Sequence, residues 1–327
     1  MTNESVETKS NYAWQKLTML NPGEYPVAIC LSKSNQMFTT AWNPISSTGY
    51  LQRWSAPQAK WLIIPGQTFK NPITQMCCDK LGNIYLIGDT NSKKNYVISI
   101  YNATNGWTDA DNGYICPLNN ICCDSNNNVY VSVSVNDIGY IMQYEASSKT
   151  WKNLGENKFK EPVLGLSLNG YNVLYVMSGN TISCWNGQKW NSFNPSNLQQ
   201  PTGFGSDDSG NVYFNSASSI WSCHIDSQQS TNLNVPIQTF SGTTIYTNFF
   251  YIDEILYFTI SGFTSEDETA AYVWVYAKGQ WTDITPSVMN TNKTGVIYDI
   301  ACYTGKSHNI LLASNLNFVL DGKKLIL

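Results

Sequence analysis

The side chains able to do chemistry are few and scattered. Histidine occurs twice, at His224 and His308, and neither sits in an H-E-x-x-H motif or a cysteine-rich zinc spacing. His224 and Asp226 fall on one face near a strand end, where a surface pair is the plain reading and a triad fragment the alternative. Of nine cysteines, two adjacent pairs stand out, Cys77-Cys78 and Cys122-Cys123. Paired thiols suggest a metal, yet neighbours on a strand point to opposite faces, so one pair cannot chelate. Packed free thiols are the expectation instead. Asp79, Asp124 and Asp207 each lead into a Gly or Asn, as hairpin turns require, without the converging oxygens of a calcium loop. No G-x-S-x-G elbow, Walker A loop or strand-G-x-G-x-x-G-helix is present. The residues therefore predict no metal, no cofactor and no catalysis.

The elements that carry these residues repeat. From Pro72 to Pro117 the chain reads as four short strands, at 73–78, 83–88, 96–101 and 107–110. Val, Ile and Tyr fill the runs, Gly, Asn and Asp separate them, and no run has a helical apolar period. Three markers recur in phase every 45 or so residues. The first is a proline ahead of an apolar strand: Pro26, Pro72, Pro117, Pro162 and Pro201. The second is a tryptophan opening the last strand: Trp61, Trp107, Trp151, Trp190 and Trp281, with Trp14 in similar context. The third is the turn DKLGNIY at 79–85, DSNNNVY at 124–130 and DDSGNVY at 207–213.

Seven modules follow, 26–71, 72–116, 117–161, 162–200, 201–244, 245–294 and 295–327. The fold class expected is all-β, a seven-bladed β-propeller of four-stranded antiparallel blades. The seventh module lacks an outermost strand. Trp14 to Leu20 is favoured to supply it, and 323–327 is the alternative. Residues 1–11 read as a disordered tail and 12–327 as one propeller domain. The tryptophans then serve blade packing, and the cysteines of the crowded first strands fill space.

Composition narrows the partners. A net charge of −4 and an isoelectric point near 5.2 argue against nucleic acid, whose binders need a basic stripe. No apolar run spans a membrane, and MTNESVETKSN is no classical signal peptide, which predicts a cytoplasmic protein or one exported by another route. Only 13% of residues are charged, so Asn, Ser, Thr, Gln and Tyr must carry the surface.

A propeller glycosidase would need two carboxylates close together, and Asp299 is the main acid of the first strands. Recognition is the better expectation. The loops joining strands two to three, and blade to blade, form one face. On it fall Trp42, Lys93, Lys94, Phe263, Glu266, Asp267 and Glu268, with Tyr25, Phe69, Tyr114, Phe159 and Phe240 in the blade-joining segments. Exposed aromatics beside polar groups suit a glycan or a protein partner.

The unit "W-x-x-L, apolar first strand, turn, strand with Tyr, third strand, G-x-W" resembles tectonin and tachylectin-like propeller repeats, most closely at VLGLSLNGYNVLYVMSGNTISCWNGQKWNSF. The D-x-x-G-N-[IV]-Y turns are equally similar to NHL-type or regulator-type repeats, while the kelch Gly-Gly and the WD40 GH and WD are absent. The resemblance implies a carbohydrate-binding or recognition role. The alternatives are a propeller-scaffold hydrolase with a channel-mouth site, or a bacterial effector acting as a protein-interaction scaffold.

Overall fold

Gly82 has φ +82°, a conformation that costs glycine nothing, so Asp79-Lys80-Leu81-Gly82 reverses the chain sharply. The runs on either side become strands Gln75–Cys78 and Ile84–Gly88, paired antiparallel from Gln75↔Ile87 to Cys78↔Ile84. Val97–Asn102 and Gly106–Ala110 extend the sheet outward. The same unit recurs, and the protein is a seven-bladed β-propeller of four-stranded antiparallel blades.

The computed structural model describes residues 5–9, 12–19, 21–88, 97–110, 118–155, 159–199, 201–216, 219–235, 245–263, 269–291, 296–302, 310–314, 316 and 318–324. Blades 1 to 6 span 25–63, 75–110, 118–153, 163–193, 204–232 and 245–283, each starting within three residues of the module expected from the repeat. Chain contacts group the structure into two compact units. The first is 1–74 with 238–327, and the second is 75–237.

In the first unit, blade 7 is built from both ends of the chain. Strands Ile297–Cys302, Ile310–Ser314 and Phe318–Lys324 are completed by Tyr12–Thr18, registered from Tyr12↔Lys324 to Thr18↔Phe318. The N-terminal strand thus takes the outer place, and Lys323 and Lys324 belong to the third strand. Ser5–Lys9, expected as a disordered tail, forms a fifth strand beyond it, because a polar run beside an open edge can still pair its backbone. Among the described residues the one α-helix is Ser287–Thr291, and a 3-10 turn spans Ala56–Gln58.

The tryptophans do pack between blades. Trp14 and Trp61 are fully buried. Trp14 Nε1 donates to Ile284 O at 3.1 Å and Trp61 Nε1 to Leu17 O at 3.0 Å. In each case the acceptor lies three residues past the tryptophan of the preceding blade, so one side chain supplies apolar area and a directional bond. In the second unit Trp190 Nε1 repeats the contact to Leu154 O at 3.1 Å.

First strands of four blades are bulged, at Pro26/Ile29, Leu118/Ile121, Val163/Gly165 and Ile297/Asp299. A bulge leaves an amide without its ladder partner, and buried hydroxyls accept it. Ala28 N donates to Thr40 Oγ1 at 3.0 Å, and Asn120 N to Ser132 Oγ at 3.0 Å. Thr40 Oγ1 donates onward to Ile73 O at 2.9 Å, ahead of the next module.

Candidate functional site

The turn acids resolve first. Asp79 accepts Leu81 N and Asn83 N on Oδ1, each at 2.9 Å, and Asn83 Nδ2 and Tyr85 Oη on Oδ2, at 2.7 and 3.0 Å. Asp124 repeats this with Asn126, Asn128 and Tyr130, and Asp207 with Ser209, Asn211 and Tyr213. Each carboxylate is filled by four donors and has no capacity left for calcium or for a proton transfer. Burial and the adjacent carboxylate hold the Tyr85 and Tyr130 hydroxyls well above the usual phenol range.

These turns are also tied to one another. Lys80 N donates to Asn127 Oδ1 at 3.1 Å, Ser125 N to Asn172 Oδ1 at 2.8 Å, and Gly170 N to Asp208 Oδ1 at 2.5 Å. Blades 2 to 5 therefore present a braced arc of turns, with Leu81 and Tyr171 at the tips, 65% and 75% exposed.

The remaining candidates stand apart. Both ring nitrogens of His224 engage backbone: Nε2 donates to Ser209 O at 3.1 Å and Nδ1 accepts Asp226 N at 3.3 Å, which assigns the proton to Nε2. His224 thus meets Asp226 through its amide, not as part of a triad. The eight described cysteines are all free thiols. Burial pushes Cys122, Cys123 and Cys302 well above the ordinary thiol value, so thiolate is scarce there. No group of three or more metal-ligating side chains occurs among the described residues. His308 and Cys116 lie outside them.

Asp299 sits at the bulge of blade 7. Oδ2 accepts Ile29 N at 2.9 Å and Oδ1 accepts Ile300 N at 2.8 Å, bracing the first strands of blades 7 and 1. Burial pushes its pKa up to about 7, against the pull of those two amides. It retains a little accessible surface but is enclosed by protein, and the loss of bulk water around the carboxylate outweighs the two bonds.

The loop face expected from sequence is described only in part. Trp42 is not an exposed loop residue. It lies in strand Met37–Asn43, is 9% exposed, and pairs with Gly49, where an added Cβ would stand 3.3 Å from the indole, a tight approach. The strand runs further into AWNPISSTGY than its composition suggests, which turns the ring inward. Phe69 and Phe159 are buried blade-gap plugs, bridged to Gly49 and Gly139. Tyr25 packs on Tyr298, with ring centroids 5.9 Å apart. Phe263 ends strand Ile255–Phe263 opposite Thr269. Lys93, Lys94, Glu266, Asp267, Glu268, Tyr114 and Phe240 lie outside the described residues.

Two clefts open on the other side of the blades, where the turns joining strands one to two and three to four emerge. One, of about 620 Å³, lies between blades 7 and 1 and is lined by Gln15, Asp321, Gln36, Arg53 and Trp54. The second, about 460 Å³, lies between blades 2 and 3 and is lined by Asn83, Asn102, Asn105, Asn126, Asn127 and Asn128, with Tyr85, Ile100, Tyr144 and Lys149. Sequence reasoning missed both. The only signal available was the asparagine-rich turns, which read as turns.

No family model matches the chain, and no curated protein matches it in sequence. Its fold is that of known β-propeller proteins. A virginiamycin B lyase from Staphylococcus aureus superposes with a TM-score of 0.65 at 14% identity, covering 96% of this chain and 100% of that one. YCF48 from Cyanidioschyzon merolae gives 0.66 at 11%, covering 95% and 98%. A chain of the mitotic checkpoint complex gives 0.64 at 11%, covering 99% and 94%. At these identities the likeness is one of fold alone.

Proposed function

We propose that this protein is a non-catalytic recognition propeller, which takes a protein partner on the surface formed by the turns joining strands one and two of its blades. One observation carries the reading. The carboxylates of the repeated turns are consumed by four structural hydrogen bonds each, and those bonds make the turns a rigid, weakly charged surface. Binding to such a surface costs little ordering entropy. A glycan partner is the second reading, favoured by the 13% charge content and the amide lining of the second cleft. The structural neighbours include a lyase and a member of a protein assembly, which fits a scaffold that hosts either use.

The test is saturable binding without turnover. The purified protein is screened against peptide and glycan arrays, and each hit is followed for chemical change by mass spectrometry. Bound ligands recovered intact are the expected result. Conversion of a hit into product, abolished by Asp299→Asn, would replace recognition with catalysis.

A further inference from the structure

We infer that the cleft between blades 2 and 3 binds a short, uncharged, extended polypeptide segment by its backbone. The inference rests on the recognition reading and names the partner chemistry of one surface.

The asparagines of this cleft are oriented by bonds they already make. Asn127 Oδ1 accepts Lys80 N at 3.1 Å, which leaves its amide nitrogen to donate. Asn128 Nδ2 donates to Asp124 Oδ2 at 2.8 Å, which leaves its Oδ1 to accept. A fixed donor and a fixed acceptor thus stand on consecutive residues of one turn. Across the cleft, Asn102 Nδ2 donates to Asn83 Oδ1 at 2.8 Å, while Asn102 Oδ1 holds Thr104 N and Asn105 N at 2.9 and 3.3 Å. Asn105 and Asn126, both exposed, are available at the opening.

Donors beside acceptors match the alternating N–H and C=O groups of an extended chain. Ile100 inside and Leu81 at the rim offer apolar contact for one side chain. A sugar fits less well. Tyr85 and Tyr144 are only 1% and 6% exposed, so the cleft has no open aromatic face for a ring to stack on. The lining holds no carboxylate, and Lys149 is its one charge, which leaves nothing to hold a basic segment.

The experiment pans the full chain against a library of short uncharged peptides, with an array of neutral and acidic glycans run in parallel. The best peptide is then remade with each backbone nitrogen methylated in turn. Asn105→Ala and Asn126→Ala are expected to weaken binding about tenfold each, at unchanged melting temperature, because neither side chain is needed by the fold. Methylation at one or two alternate positions abolishes binding, while most side chains can be exchanged. Arg53→Ala, in the other cleft, changes nothing. Peptide binding indifferent to methylation, or to both asparagine variants, overturns the inference. Glycan binding that those variants weaken overturns it too, but leaves the recognition reading standing. A hit that is chemically converted removes the recognition reading itself.

Discussion

The cleft between blades 7 and 1 and the cleft between blades 2 and 3 occupy the same place on the repeat, yet their walls differ. The first holds Arg53, the buried Asp321 and Trp54, and the second is walled by amides. The cause lies in the turns. Blades 2 and 3 open on Asp79 and Asp124, whose four bonds draw asparagines into fixed positions. Blade 1 opens on Ser32, whose hydroxyl accepts Gln36 N at 3.1 Å and shares a hydrogen bond with the Ser34 hydroxyl at 2.9 Å. In blade 4, Asn169 at the same position orders the turn backbone through Tyr171 N and Val173 N, so what the carboxylate adds is its hold on the Asn and Tyr side chains. Repeats can share a fold while one drifts toward charge and another toward neutral, pre-set hydrogen bonding.

The largest effect is expected from the packing between blades 7 and 1. Trp61→Ala removes a fully buried ring and its bond to Leu17 O, and should cost about 3–5 kcal/mol in denaturant unfolding. Because Trp61 belongs to blade 1, a ligand of the amide cleft should still bind wherever the variant stays folded. Next in size is the turn itself. Asp124→Ala strands Tyr130 Oη and the Asn128 amide, for about 2–3 kcal/mol, and should also weaken binding at the amide cleft. Ser32→Ala, at the same position of blade 1, should cost about 1 kcal/mol or less by the same measurement. Equal costs for the two would mean that the carboxylate is not what orders the turn.

A third prediction concerns pH. Asp299 holds its proton up to about pH 7 in the folded chain, against an ordinary value of 3.8. The folded state therefore binds the extra proton between those limits, and this stabilisation is full below pH 4 and lost as pH rises toward 7. The denaturant midpoint of the wild type should fall across that window, and Asp299→Asn should flatten the slope. An unchanged slope would show that another group governs it. Smallest is Arg53→Ala, an exposed residue, which should move stability by no more than about 0.5 kcal/mol.

Much of the architecture was legible because it is local and repeated. Trp14, Trp61 and Trp190 announce the outer strands, and the D-x-x-[GN]-N-x-Y turns announce both the reversal and its hydrogen bonds. Even the closure of blade 7 could be read from Trp14. The clefts could not, because Asn83, Asn105, Asn128 and Lys149 come from separate hairpins of two blades and meet only once those blades pack. Trp42 misled for a related reason. An aromatic at a strand end and one in a loop look alike in sequence, and the pairing of Trp42 with Gly49 appears only in the folded sheet.

The pairing of Tyr12–Thr18 with Phe318–Lys324 also sets a timetable for synthesis. The first strand leaves the ribosome some three hundred residues before its partner, a wait of roughly 15–60 s at ordinary elongation rates. An apolar strand waiting that long offers two open edges to any other nascent chain. Ser5–Lys9 pairs with it, from Ser5↔Gln15 to Lys9↔Tyr12, so one of those edges is covered by a neighbour only a few residues away in the chain. The fifth strand of blade 7 thus shields the clasp of the propeller, whose closing strand would otherwise form the outer edge of that blade.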